Sequence, residues 1–115
     1  MSEEPVKQKR QYFRLRYPKR ARPVVRVKDR KFSVAEVSEK GLRVVMANTS
    51  TLYRGMSMKG VLLLHGDKLI EIDGAVLRFE GDEVILKLKQ GPSFKQMFSE
   101  QIRLRRKYPF LFNKK

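Results

Sequence analysis

From Val24 onward the chain alternates between apolar and polar positions in short runs. Val24-Val25-Arg26-Val27 is β-branched, Lys28–Lys31 is a polar break, and Phe32-Ser33-Val34-Ala35-Glu36-Val37 alternates in the period-2 manner of a half-buried strand. A polar turn, Ser38–Gly41, leads into Leu42–Met46, and a looser stretch around Asn48–Gly55 precedes Met58–Leu64. His65–Lys68 reads as a turn by its Gly-Asp pair, and Leu69–Phe79 as a long strand. Glu80–Glu83 is another tight turn, ahead of a last strand, Val84–Leu88. Six short strands joined by short turns predict an antiparallel barrel or sandwich. Gly74, inside the long strand, predicts a bulge or sharp bend of the kind a closing barrel needs.

Beyond Gly91 the period changes. Phe94, Met97, Phe98 and Ile102 fall on one face at helical spacing and predict a helix over 93–107 that presses this face onto the barrel. Ser93 and Gln96 have the spacing of a capping box, and Arg103, Arg105, Arg106 and Lys107 occupy the end where the helix dipole favours cations. Pro109 ends the helix. Residues 1–9 are polar and unpatterned, as a disordered tail is. Residues 10–23 are basic and contain Pro18 and Pro23, which predicts an extended arm lying across the domain. The expected organisation is a tail (1–9), one domain over 10–108 (arm 10–23, barrel 24–89, helix 93–107) and a basic tail (109–115).

The length of 115 residues suits one domain with one core, and 41% hydrophobic residues argue for a folded chain. No apolar run approaches the roughly 18 residues of a membrane span. Met1-Ser2-Glu3-Glu4-Pro5 lacks the pattern of a secretory signal, so the expectation is a cytoplasmic protein. There is no cysteine, hence no disulfide framework and no thiol chemistry. The net charge of +15 changes the picture most, because it attracts polyanions: nucleic acid, anionic lipid or a phosphorylated small ligand. Basic residues crowd the leader and the far end, while most of the acids lie between.

Candidate chemistry is sparse. His65 is the single histidine, sits in a turn and reads as a surface residue; with no cysteine or second histidine there is no zinc site. The acids are scattered without the spacing of a calcium loop, and no phosphate loop or nucleophile motif occurs. The expectation is a binding protein, not an enzyme, with no metal and no cofactor. Phe110-Leu111-Phe112, between Lys107 and Lys114-Lys115, has the composition to touch a membrane surface, but its shortness favours a cap on the barrel.

Two segments carry more. Lys9-Arg10-Gln11-Tyr12-Phe13-Arg14-Leu15 places two arginines four positions apart, and Glu36-x-Ser38-x-x-Gly41 forms a polar turn one strand pair downstream. Together, ahead of a string of short strands and a late helix, they resemble the PilZ domain, a bacterial receptor module for cyclic di-GMP, over roughly residues 9 to 107. The resemblance implies a six-stranded antiparallel barrel with a C-terminal helix packed on it and a basic N-terminal arm. It implies that Lys9, Arg10, Arg14, Glu36, Ser38 and Gly41 bind the ligand: the arginines clamp phosphate and guanine, Ser38 and Glu36 contact guanine or phosphate, and Gly41 permits close backbone approach. The chain departs from the family's Asp/Asn at Glu36, which keeps the carboxylate and adds a methylene. A basic residue before the first arginine, here Lys9, accompanies two bound ligand molecules in the family. The implied function is a receptor that changes shape on binding and signals to an effector in motility, biofilm formation or polysaccharide output. Two other readings stand beside it: a nucleic-acid-binding small barrel, for which the charge and Tyr12, Phe13 and Tyr17 are suitable ingredients, and a ligand-free scaffold of the same fold acting through protein contacts.

Overall fold

A computed structural model describes residues 14–65 and 68–111. A two-residue strand, β1 (Leu15–Arg16), precedes six longer ones: β2 (Val24–Val27), β3 (Arg30–Val37), β4 (Gly41–Val45), β5 (Ser57–Leu64), β6 (Lys68–Glu80) and β7 (Glu83–Gln90). These six form a closed antiparallel barrel in the order β3-β2-β5-β6-β7-β4, with β4 pairing back onto β3. The predicted strands therefore all exist, and their alternation sets the core. Val25, Val34, Val37, Val44, Leu62, Val84 and Leu86 point inward and are fully buried.

Three register shifts shape the barrel, one between β3 and β4 and two between β6 and β7, at Asp73/Gly74 and Val76/Arg78. In β3 the register against β4 shifts between Val34 and Glu36, so that one extra residue stands on β3. Val34 and Ala35 are both buried, and the phase of the strand is reset: Val37 enters the core and Glu36 faces outward. In β6 the register against β7 shifts at Asp73/Gly74, where the sequence predicts it. A Cβ on Gly74 would collide with the backbone carbonyl of Lys87, so only glycine fits where the two backbones approach.

The arm is stitched along β3. Leu15 stands opposite Val37 and Arg16 opposite Glu36. The Tyr17 N–H donates to the Ala35 carbonyl at 3.0 Å, a 3-10 turn follows at Lys19–Ala21, and the Val34 N–H donates to the Pro23 carbonyl at 2.9 Å. Its earlier part, including Lys9 and Arg10, and the two tails lie outside the described residues apart from the 3-10 turn Pro109–Leu111.

One helix, α1 (Phe94–Lys107), follows the barrel, and its start is the predicted capping box. The Gln96 N–H donates to Ser93 Oγ at 3.1 Å, and the Ser93 N–H donates to Gln96 Oε1 at 2.9 Å. The face that meets the barrel differs from the expected one. Met97, Glu100 and Leu104 are buried, whereas Phe94, Phe98 and Ile102 are exposed. A glutamate sits at the centre of the inner face because partners await it. The Tyr17 hydroxyl donates to Glu100 Oε2 at 2.8 Å, and His65 Nδ1 lies 3.1 Å from the same oxygen. His65 is thus half-buried against the helix rather than a plain surface residue. Among the described residues no helix is long and apolar enough to cross a membrane.

The Tyr17–Glu100 bond yields a prediction. Burial first, then the neighbouring Glu100 charge, pushes the Tyr17 phenol above its ordinary 10.0. A raised folded value means stability that is complete below pH 10 and lost as the pH climbs beyond it. Tyr17→Phe removes one partner of a buried carboxylate and is expected to cost about 1–3 kcal/mol at neutral pH. Thermal melts from neutral to alkaline pH check both points: the substituted protein melts lower at pH 7 and loses less stability above pH 10 than the parent.

Candidate functional site

The β3–β4 hairpin builds one wall of a cleft. Its turn closes when the Ser38 N–H donates to the Gly41 carbonyl at 2.9 Å, and it is tied to the barrel by the Leu88 N–H, which donates to the Lys40 carbonyl at 2.8 Å. Ser38 is almost fully buried, with its Oγ 3.4 Å from the Gly41 carbonyl. A Cβ on Gly41 would meet Leu86 O and Ser38 Oγ at 3.4 Å, an ordinary contact. The glycine is therefore not forced by collision; it leaves the cleft wall bare of a side chain.

Glu36 is the centre of the charge arrangement. Its cross-strand neighbours are Arg16 on β1 and Arg43 on β4. Arg16 Nη1 lies 3.1 Å from Oε1, Arg43 Nε 3.3 Å from the same atom, and Arg14 Nε 3.8 Å from Oε2. The Glu36 side chain is only 14% exposed, so these pairs are less screened than surface ones. Arg43 continues the chain of charges: its Nη1 donates to Glu80 Oε1 at 2.7 Å and to Glu83 Oε1 at 2.9 Å. Arg78 Nε donates to Glu80 Oε2 at 2.7 Å. Hydrogen bonds from Arg43, then Arg78, hold the Glu80 carboxyl down from its usual 4.5 to about 2, and the same carboxylates push the Arg43 guanidinium up.

Arg14, Glu36, Ser38 and Gly41 all line this cleft, together with Leu42, Arg43, Leu77, Arg78, Ile85 and Leu86. Four of the six expected binding residues therefore come together; Lys9 and Arg10 fall outside the described residues. The cleft has a volume of about 150 Å³. That is below the roughly 300–1,000 Å³ of a pocket that engulfs a drug-sized ligand. It can receive the edge of a large ligand, and the rest must be covered by something else. Its chemistry suits an anionic heterocycle: guanidinium groups for phosphate, a carboxylate for an N–H edge, and apolar Leu77 and Ile85 for a ring face.

Arg16, Arg43, Arg78, Leu77 and Ile85 belong to neither motif. Arg43 has a signal, because once Glu36 faces outward the hairpin register sets an outward residue of β4 beside it. Leu77 and Ile85 have none: Leu77 is the extra residue of β6 where its register against β7 shifts between Val76 and Arg78, and Ile85 stands opposite Arg78 on β7. Among the described residues no group of three or more acidic, histidine or cysteine side chains is placed to hold a metal ion.

The sequence model of the PilZ domain matches residues 8–107. No curated protein matches the chain. Among solved structures, the fold is similar to that of the Bacillus subtilis inhibitor of motility MotI/DgrA (TM-score 0.66, 22% identity, 90% of this chain and 53% of that one). The chain thus spans about half the length of MotI. It is also similar to the PilZ domain of YcgR from Escherichia coli, a structure determined with c-di-GMP (TM-score 0.69, 15% identity, 90% of this chain and 99% of that one). An uncharacterized Legionella protein matches as well (TM-score 0.59, 21% identity, 84% of this chain and 98% of that one).

The depressed Glu80 value sets an acid limit on the charge chain. Its contribution is present above pH 4.5 and is lost as the pH falls toward about 2. Carboxyl-carbon NMR through an acid titration is expected to show Glu80 titrating near the lower figure. In Arg43→Gln its midpoint moves up toward 4.5, because only the Arg78 guanidinium is left to hold the carboxylate.

Proposed function

The chain belongs to the PilZ domain family, and on that premise we propose that it is a cyclic di-GMP receptor that changes conformation on binding and signals to an effector. PilZ domains are binding and regulatory modules, so a switch rather than a catalyst is the expected role. The observation that carries the reading is that Arg14, Glu36, Ser38 and Gly41, from two separate motifs, line one cleft. Phosphate chemistry falls to Arg14, with Arg10 as its companion from the arm. Guanine recognition falls to Glu36, whose carboxylate can accept from N1 and N2, and to Ser38. The shallowness of the cleft gives the arm its task, which is to cover the part of the ligand that the barrel cannot. The cytoplasm, where this second messenger acts, is the proposed location. Motility, biofilm and polysaccharide secretion are the outputs proposed for the effector, motility having in its favour that the neighbour MotI is by name an inhibitor of motility.

A second reading rests on one specific observation. The Glu36 carboxylate already has Arg14, Arg16 and Arg43 around it, so the ligand must displace contacts that the protein makes with itself. In a ligand-free scaffold those contacts are simply permanent.

Calorimetric titration with cyclic di-GMP at near-physiological salt, with GMP as control, separates the two. The receptor reading expects saturable binding at micromolar affinity or tighter; a folded protein that gives no heat is the scaffold. A lost charge-assisted hydrogen bond costs about 1.5–3 kcal/mol, and every ~1.4 kcal/mol is tenfold. Arg14→Ala is therefore expected to weaken binding about ten- to a hundredfold, and an unchanged affinity removes the arm from the mechanism. The same titration gives the stoichiometry, with two ligands per chain expected from Lys9 and one as the contrary result.

A further inference from the structure

The β2–β3 hairpin carries charge that the fold does not use. Its end, Arg26-Val27-Lys28-Asp29-Arg30-Lys31, holds four cations and one acid. All four cations are exposed, and among the described residues none of them has an ion pair. Local structure does not ask for them. Arg26 stands directly opposite Lys31, and like charges so placed destabilise a strand pair. Lys28 turns the hairpin with φ 58°, in the left-handed region that favours glycine or asparagine. The charges also surround the hairpin. Val25, Val27 and Phe32 turn toward the core, so alternation puts Arg26 and Lys31 on the outer face. Arg30, opposite Val27, stands on the inner side, and Lys28 stands at the tip. β2 leaves β5 after Arg26, and β3 meets β4 only from Val34, so the end of the hairpin is a two-stranded ribbon with no third strand paired to it.

Cations on two faces and at a tip select the shape of the partner. A small anion reaches one or two of them, and a bilayer lies against one face only. No large hydrophobic side chain of the segment is exposed. It therefore offers neither the desolvated anchor of a protein interface nor the apolar insertion that holds a helix or loop in a bilayer. A DNA duplex meets a ribbon on both sides. Its major groove is about 12 Å wide, admits a two-stranded β-ribbon and runs between two lines of phosphate. A phosphate beside Arg26 and Lys31 also turns their mutual repulsion into a shared attraction. We propose that the β2–β3 hairpin is a docking element for double-stranded DNA. It enters the major groove tip first, with Arg26 and Lys31 toward one phosphate line and Arg30 toward the other. None of these residues lines the cleft, so the docking does not depend on what the cleft binds.

The test uses the full chain and a fluorescein-labelled DNA duplex of about 20 base pairs, followed by anisotropy at about 0.15 M salt. Saturable binding in the micromolar range is expected. Arg26→Gln/Lys31→Gln is expected to weaken it about tenfold or more and to flatten the plot of log Kd against log salt by about 2, one for each lost phosphate contact. Circular dichroism confirms the fold. Lys28→Gly suits the φ of 58° and so keeps the turn, and it is expected to flatten the same plot by about 1. Lys87→Gln/Lys95→Gln removes an equal charge from β7 and α1 and is expected to change the affinity less than about threefold. Failure to bind the duplex overturns the proposal. So does a β7/α1 pair that weakens binding as much as the hairpin pair, because the net charge of +15 would then account for it. A single strand of the same length that binds as tightly overturns the groove. Polyglutamate that competes as well as unlabelled duplex overturns the choice of DNA and leaves the hairpin to an acidic protein.

Discussion

The extra residue between Val34 and Glu36 in β3 decides what the rest of the site can be. In an unbroken strand Glu36 would follow Val34 inward, and a carboxylate would enter a core of valines and leucines at a cost of several kcal/mol (~2–7 for an unpaired polar group, more for a charge). The bulge spends one residue, Ala35, to reset the alternation. Val37 then takes the core position, and Glu36 emerges between β1 and β4. Everything charged in the cleft is arranged around that exit: Arg16 from one side, Arg43 from the other, and through Arg43 the pair Glu80 and Glu83. Local strand irregularity here is the means by which the Glu36 side chain is aimed into the cleft.

The same alternation, one strand over, joins the cleft to the helix. Along the arm Leu15 goes in, Arg16 goes out to Glu36, and Tyr17 goes in to Glu100. Two adjacent residues thus touch two different parts of the molecule: the carboxylate at the cleft and the carboxylate under the helix. A displacement of the arm at Glu36 must strain or carry with it the Tyr17 bond, since a strand cannot move one face without the other. On the proposed function, that coupling would be a short physical route from ligand to helix, and it would ask for movement of the arm rather than of the core.

Much of the fold was legible because it rests on patterns that survive tertiary context. The six barrel strands follow from period-2 alternation and turn residues, the register shift at Asp73/Gly74 from Gly74, and the start of α1 from Ser93 and Gln96. The orientation of α1 was not legible. A count of apolar residues selects the face of Phe94, Met97, Phe98 and Ile102, yet of these only Met97 is buried, and the face that docks carries Glu100 and Leu104 with it. Nothing local announces that a glutamate will be buried, because its partners lie 83 and 35 positions away, at Tyr17 and His65. At the cleft, Arg14, Glu36, Ser38 and Gly41 were legible as motifs, whereas Arg16 and Arg43 follow only from strand register. Motifs give the residues whose chemistry is special; register gives the residues that hold them.

The glutamate at position 36 has a structural consequence beyond its extra methylene. A side chain standing between two cross-strand arginines can satisfy both only if its carboxylate reaches far enough out of the sheet to meet long, flexible guanidinium groups. Here it does, with Arg16 and Arg43 sharing one oxygen and Arg14 approaching the other. The arm therefore has an anion to close on within the protein itself. Any phosphate that enters must draw Arg14 away from a carboxylate that remains well paired by Arg43, whose own fork is fixed by Glu80 and Glu83. Exchange of partners at Arg14 leaves Glu36 paired with Arg16 and Arg43, whereas removal of Arg43 would take a partner from Glu36, Glu80 and Glu83 at once. The cleft is thus divided between one arginine free to change partner and one that cannot, and that division is what would allow a ligand to move the arm while the barrel stays still.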